Sequence, residues 1–251
     1  TCGGAIFNIG TENGTDSTKF INCLFSGNSA LEYGGSIFNE GKNGTSVPQF
    51  NNCTFAASKA DNGGAMTNEQ SSPNLKNNIF WGNSSEIHDA SSVPVVNDNV
   101  VENGYLLGTN VIIENPMFAN QADFNNAPTT GGDFNLTEDS EDVIDKGIDS
   151  LIFMDSILVD LANNPRRTDG DYDNVRRVDI GAYEFQSVIC DAPNLVLTDG
   201  TPGVYIAETI TAEGTVVILD STQVTYIAKT EITLGPEEPA GSEFEVELGA
   251  V

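Results

Sequence analysis

Gly3-Gly4-Ala5-Ile6-Phe7-Asn8 recurs as Gly34-Gly35-Ser36-Ile37-Phe38-Asn39, and again as Gly63-Gly64-Ala65-Met66-Thr67-Asn68. The offsets are 31 and 29 residues. A second block interleaves with the first. Phe20-Ile21-Asn22-Cys23-Leu24-Phe25 matches Phe50-Asn51-Asn52-Cys53-Thr54-Phe55 and then Leu75-Lys76-Asn77-Asn78-Ile79-Phe80. Two short β-like blocks per period, separated by Gly, Asn and Ser, describe a solenoid of short strands. Helices are disfavoured, because these residues are poor helix formers and no 3.6-residue apolar period is present.

The phase of the second block places a bend inside it. Apolar positions 20 and 25 do not fall on one alternation, so the chain turns near Asn22, where Asn tolerates the left-handed backbone a turn needs. In stacked coils each residue lies about 4.8 Å from its copy. Asparagine ladders are therefore expected at Asn22, Asn52 and Asn77 and at Asn8, Asn39 and Asn68, with side-chain amides bonding along the stack. Cys23 and Cys53 fall in register and are expected to face inward as reduced thiols, because parallel neighbours suit disulfide geometry poorly.

Lys and Arg number 10 against 37 Asp and Glu, for a formal charge of −27 on 251 residues. Such a polyanion repels phosphate backbones and anionic lipid, so nucleic acid and membrane insertion are not expected partners. No apolar run is long enough for a membrane-spanning helix. The charge is uneven: residues 1–85 hold six acids and four bases, and the acids concentrate beyond them. One histidine, His88, excludes multi-histidine chemistry and reads as a lone exposed side chain, and the four cysteines lack C-x-x-C spacing. The opening residues have no basic-then-apolar leader and read as the second half of a repeat, so further coils are expected upstream.

The Gly-Gly-Ala-Ile blocks and the Phe-x-x-Asn pairs Phe25–Asn28 and Phe80–Asn83 resemble right-handed parallel β-helix repeats of bacterial surface proteins. Phe55-Ala56-Ala57-Ser58 departs from that pattern, which implies a weaker ladder position there. Asn115-Pro116-Met117-Phe118, Gly132-Asp133-Phe134-Asn135-Leu136, Val143-Ile144-Asp145-Lys146-Gly147, Asp160-Leu161-Ala162-Asn163-Asn164-Pro165-Arg166 and Val178-Asp179-Ile180-Gly181-Ala182-Tyr183-Glu184 resemble, in order and spacing, the closing segment of choice-of-anchor Q domains. Beyond Cys190, Tyr205-Ile206-Ala207-Glu208-Thr209-Ile210-Thr211 recurs 21 residues on as Tyr226-Ile227-Ala228-Lys229-Thr230-Glu231-Ile232-Thr233. This region resembles the 3-coathanger stack domain of bacteria with type IX secretion.

The expected fold is all-β: a right-handed parallel β-helix with a C-terminal cap, plus a small β-stack domain. Coils occupy 1–100, a capping region 101–190 and the stack 191–251. Asp169, Asp171 and Asp173 alternate in an acidic loop and are the candidate ligands for calcium, the alternative being a solvated turn. No spacing picks out a catalytic carboxylate pair. The resemblances imply an extracellular or cell-surface location reached by type IX secretion. They also imply a non-enzymatic stalk, adhesin or appendage segment. Its expected partners are other domains of the same chain, copies of itself, or a carbohydrate or cell-surface target. The alternative is a β-helix polysaccharide lyase or glycoside hydrolase, which needs acids beside Arg or Lys in a groove.

Overall fold

The computed structural model describes residues 2–42, 44–150, 158–171, 175–186, 189–190, 194–197, 203–212, 224–233 and 247–248. The chain divides into two compact units, Thr1–Gln186 and Ser187–Val251. The first unit opens with four stacked coils. Coil 1 carries β1 (Ile6–Ile9), β2 (Thr15–Asp16), β3 (Lys19–Ile21) and β4 (Leu24–Ser26). Coil 2 carries β5 (Ile37–Glu40), β6 (Thr45–Ser46), β7 (Gln49–Asn51) and β8 (Thr54–Ala56). Coil 3 carries β9 (Met66–Glu69), β10 (Asn74–Lys76) and β11 (Ile79–Trp81), and coil 4 carries β12 (Ile87–Ala90), β13 (Val95–Asn97) and β14 (Val100–Val101).

Each strand pairs in parallel with its copy on the next coil, giving the sheets β1-β5-β9-β12, β3-β7-β10-β13 and β4-β8-β11-β14. The molecule is a parallel β-helix, and its register is that of the repeats: Asn8 opposes Asn39, Phe20 opposes Phe50 and Phe25 opposes Phe55. The Gly-Gly pair has a steric reason. Gly3, Gly34 and Gly63 hold φ of +65°, +63° and +60°, and a Cβ on Gly4 or Gly35 would stand 2.1 or 2.2 Å from the next coil's carbonyl oxygen. The bend in the second block is equally local. Asn22, Asn52 and Asn77 have φ of 50°, 51° and 53°, and Asp98 takes the same position on coil 4 with 56°.

The core is built from rings stacked at the coil spacing. Phe25, Phe55 and Phe80 lie 4.9 and 4.5 Å apart in sequence along the axis, and Phe20 lies 4.8 Å from Phe50. At the coil-4 end, bridges Asn97–Thr109 and Val100–Ile112 add part of a further coil, and Tyr105 and Val111 pack on the core. This is the cap that an open β-helix end requires.

The chain then turns back along the side of the stack. A hairpin of β15 (Phe118–Asn120) and β16 (Asp133–Leu136) packs Phe134 on Ala56 and Ala57. Thr129 N–H donates to Gly27 O at 2.9 Å, and Gly181 N–H to Asn77 O at 2.8 Å. Ala182 N–H donates to Thr54 Oγ1 at 3.0 Å. The β4-β8-β11-β14 sheet is thus covered on both faces. That explains why its strands read as apolar runs, Ile79-Phe80-Trp81 and Val100-Val101, rather than alternations. Trp81 packs between the stack and this flank layer.

The second unit contains β17 (Ile189–Cys190), β18 (Asn194–Leu197), β19 (Gly203–Ala212), β20 (Val224–Thr233) and β21 (Glu247–Leu248) in one parallel sheet. Tyr205 opposes Tyr226 and Ile206 opposes Ile227, the register of the 21-residue repeat.

Candidate functional site

The Asn8 ladder bonds as expected. Asn8 Nδ2 donates to Asn39 Oδ1 at 2.8 Å, and Asn39 Nδ2 to Asn68 Oδ1 at 2.7 Å. It then runs one step further, from Asn68 Nδ2 to Asp89 Oδ1 at 2.8 Å, and stops, because a carboxylate has no hydrogen to pass on. Tyr105 Oη caps it from the other side, donating to Asp89 Oδ2 at 2.7 Å. Burial first, then Asp89, raises the Tyr105 phenol.

The Asn22, Asn52 and Asn77 ladder corrects the expectation. These residues stack by position, yet the bonds found at Asn22 and Asn77 run sideways to the flank layer. Asn22 Nδ2 donates to Val159 O at 2.7 Å. Asn77 Nδ2 donates to Ile148 O at 3.2 Å and Asn77 Oδ1 accepts from Ile148 N–H at 3.0 Å. The Asn52 amide is fully buried and makes no hydrogen bond among the described residues. The reason is geometric: the left-handed turn aims these side chains away from the axis, where the returning chain offers a main-chain partner.

The cysteines lie one position on, free, with Cys53 inside the core and Cys23 half-buried against it. Their copies on coils 3 and 4 are Asn78 and Asn99, joined from Asn78 Nδ2 to Asn99 Oδ1 at 2.9 Å. Ser58 is no weak point either. Its Oγ accepts from Asn28 N–H at 3.1 Å and its N–H reaches Asn83 Oδ1 at 2.9 Å, so a hydroxyl continues the line. His88 is half-buried in β12, with its ring 6.1 Å from Tyr33, not exposed.

The acidic residues of the flank layer form a relay. Asp145 accepts N–H bonds from Gly170 (2.7 Å), Asp171 (2.9 Å) and Arg177 (3.1 Å). Asp145 N–H donates to Asp179 Oδ1 at 2.8 Å, Asp179 N–H to Glu184 Oε2 at 3.0 Å, and Glu184 N–H to Asp160 Oδ2 at 2.9 Å. Arg166 lies at the centre, donating to Gly181 O and standing 3.7 Å from Glu184. Both side chains of that pair are 0% exposed. Burial lowers the Arg166 guanidinium and raises Asp179 and Glu184, while the carboxylates favour its charged form and its charge pulls them back. The sequence places Arg166 where it can pair with the acidic loop or the cap carboxylates, and it stands against Glu184 of the cap; the sequence assigns the acids no role. Their spacing carries no signal, because the relay closes between segments far apart in the chain.

Carboxylate oxygens of Asp145, Asp169 and Asp171 lie within 4.8 Å of one another. Asp169 and Asp171 are therefore brought together with a third acid that the acidic-loop reading missed, and Asp173 lies outside the described residues. Such a trio can hold a hard cation. Here Lys146 Nζ stands 3.1 Å from Asp171 Oδ2, and burial raises the Asp145 carboxyl against its three N–H bonds. No family model matches the chain, and no curated protein and no solved structure matches it.

Concave regions among the described residues lie elsewhere on the first unit. A pocket of about 320 Å³ is lined by Gly82, Asn83, Glu102, Gln121, Asp123 and Phe124. Behind it Glu86 is buried, bonded to Asn83 Nδ2 at 2.6 Å and to Glu102, and burial pushes its carboxyl up to about 8. A polar cleft of about 630 Å³ lies between Ser26, Asn28 and Ser29 of coil 1 and Pro128, Thr129 and Thr130 of the flank layer.

Proposed function

We propose that this chain is a non-enzymatic structural and adhesive segment of a large extracellular bacterial surface protein. The observation that carries this reading is the sealing of Arg166 with Asp179 and Glu184: their relative exposures are 0%, 1% and 3%. The guanidinium and acids that a substrate would need lie under the flank layer, and their hydrogen bonds go to main-chain groups of the same layer. The resemblance to choice-of-anchor Q and 3-coathanger stack domains adds the surface location and type IX export. The charge of −27 suits a calcium-screened or saline exterior. The polar cleft at Ser26, Asn28 and Thr129 has the hydroxyls and amides that a neutral glycan would meet.

The carbohydrate-active alternative is favoured by one observation, the trio Asp145, Asp169 and Asp171 with Lys146 beside it. One incubation with acidic and neutral polysaccharides, with and without calcium, separates the two readings. Bound glycan without product is the expected result. Released oligosaccharide that disappears in Lys146→Gln overturns it in favour of the enzyme.

A further inference from the structure

Two fully buried side chains of the flank seam carry polar atoms with no hydrogen-bond partner among the described residues. They are Asn52, through both Oδ1 and Nδ2, and Arg166, through Nε and Nη1. Such groups destabilise a fold when they stay dry. The bonds around them bring the two together. Asn22, on the coil before Asn52, donates to Val159 O at 2.7 Å, and the adjacent Leu158 O accepts the Arg166 N–H at 3.0 Å. Asn77, on the coil after it, accepts the Gly181 N–H through its main-chain oxygen at 2.8 Å, and Gly181 O accepts from Arg166 Nη2. Ala182 N–H reaches Thr54 Oγ1 on coil 2 itself at 3.0 Å. Arg166 is thus pinned across coil 2 from both sides, and its charge acts on Cys53, the residue after Asn52. Glu184 does not satisfy Nη1, because its Oε2 stands 3.7 Å away, beyond hydrogen-bond distance.

We propose that a buried water molecule bridges Asn52 to Arg166 and docks the flank layer on coil 2. The orphan atoms select this guest. A metal cation would stand against the guanidinium and leave Nε and Nη1 without an acceptor. A halide would accept from Arg166 and from Asn52 Nδ2, yet it has no hydrogen for Asn52 Oδ1. Water accepts two hydrogens and donates two, so its oxygen takes the Arg166 donors and one of its hydrogens goes to Asn52 Oδ1. An internal water typically makes about three hydrogen bonds, and these two side chains offer that many. The three turn asparagines then share one task. Asn22 and Asn77 reach the flank layer directly, and Asn52 reaches it through water. The bridge lies on coil 2, with a coil on either side of it, and holds whichever functional reading is right.

Nuclear Overhauser spectroscopy of the isotope-labelled full chain tests it. The expected result is cross-relaxation, with the sign of a long-lived bound water, from the water signal to the Asn52 Nδ2 protons and to the Arg166 Nε proton. A crystal structure should show a solvent peak within hydrogen-bond distance of both side chains. Asn52→Gly keeps the left-handed turn, at φ of 51°, and removes the amide. It should raise the unfolding constant in urea by about fivefold or more. Water contact at neither side chain overturns the proposal, as does contact at one of them alone. An anomalous halide or metal peak assigns another guest and overturns it too. An unfolding constant that is unchanged or lower in Asn52→Gly would mean that the amide is dry, and overturns it equally. If that variant does not fold, the spectra of the parent chain decide by themselves.

Discussion

Asn77 and Ile148 are joined by a reciprocal pair of hydrogen bonds, side-chain amide to main-chain amide, across 71 residues of sequence. The Asn77 side chain does what a neighbouring strand would do. It offers one donor and one acceptor in the spacing of a peptide group, from a residue already committed to the turn by φ of 53°.

Asn77→Ala should therefore cost about 2–4 kcal/mol, two buried hydrogen bonds plus the left-handed penalty of a Cβ residue. Asn77→Gly keeps the turn and loses only the bonds, so it should be about 1 kcal/mol less harmful. Urea unfolding of the two variants checks this. Equal losses would mean that the turn does not matter, and no loss would mean that the flank layer is held elsewhere.

Asn39 both accepts and donates within the ladder, from Asn8 and to Asn68. Asn39→Asp replaces the donor by an oxygen facing Asn68 Oδ1, and should cost about 1–3 kcal/mol or more at neutral pH. Acid should restore part of the loss, because a protonated carboxyl can donate again. Melting temperatures at pH 5 and pH 8, set against those of the parent, read the rescue.

Glu86 has its pKa pushed up from 4.5 to about 8 by burial, so the fold binds its proton more tightly than the unfolded chain does. The contribution is fully present below the unfolded pKa of about 4.3 and is lost as pH rises through about 8. Asp179 and Glu184 are raised by burial and act in the same direction. Stability should fall from pH 5 to pH 9. Glu86→Gln should flatten part of that slope, by roughly 3–5 kcal/mol at the alkaline end. Denaturant titrations across this range decide; an unchanged slope in the variant would remove Glu86 from the account.

Cys23 and Cys53 should differ in reactivity. The Cys53 thiol hydrogen-bonds Cys23 and lowers it to about 7, while burial drives Cys53 up. Iodoacetamide on the native protein should label Cys23 well before Cys53, which should react only on unfolding. Peptide mass spectrometry of a time course gives the order.

The coils were legible because a solenoid repeats its own contacts: the Gly-Gly pairs, the φ-positive asparagines and the 21-residue register all follow from identical residues meeting identical neighbours. The flank layer was not legible in the same way. Thr54 and Ala182 are 128 residues apart, and the layer is mostly irregular backbone, held by side chain to main-chain bonds that leave no period. One signal was present and went unread. Ile79-Phe80-Trp81 and Val100-Val101 are apolar on both faces, which a sheet exposed on one side would not be. The Asp145, Asp169 and Asp171 trio was half legible: Asp169 and Asp171 through their alternation, Asp145 not at all, because only the folded relay brings it there.

The flank layer also sets an order of events during synthesis. Coil 1 meets its lateral cover at Thr129 and Val159, and coil 2 meets its own at Ala182. The amino-terminal coils therefore leave the ribosome with one wall bare, and a nascent chain cannot complete that wall until residue 182 has emerged. Stacking can begin early, but locking comes late, because the main-chain partner of Thr54 arrives 128 residues after it.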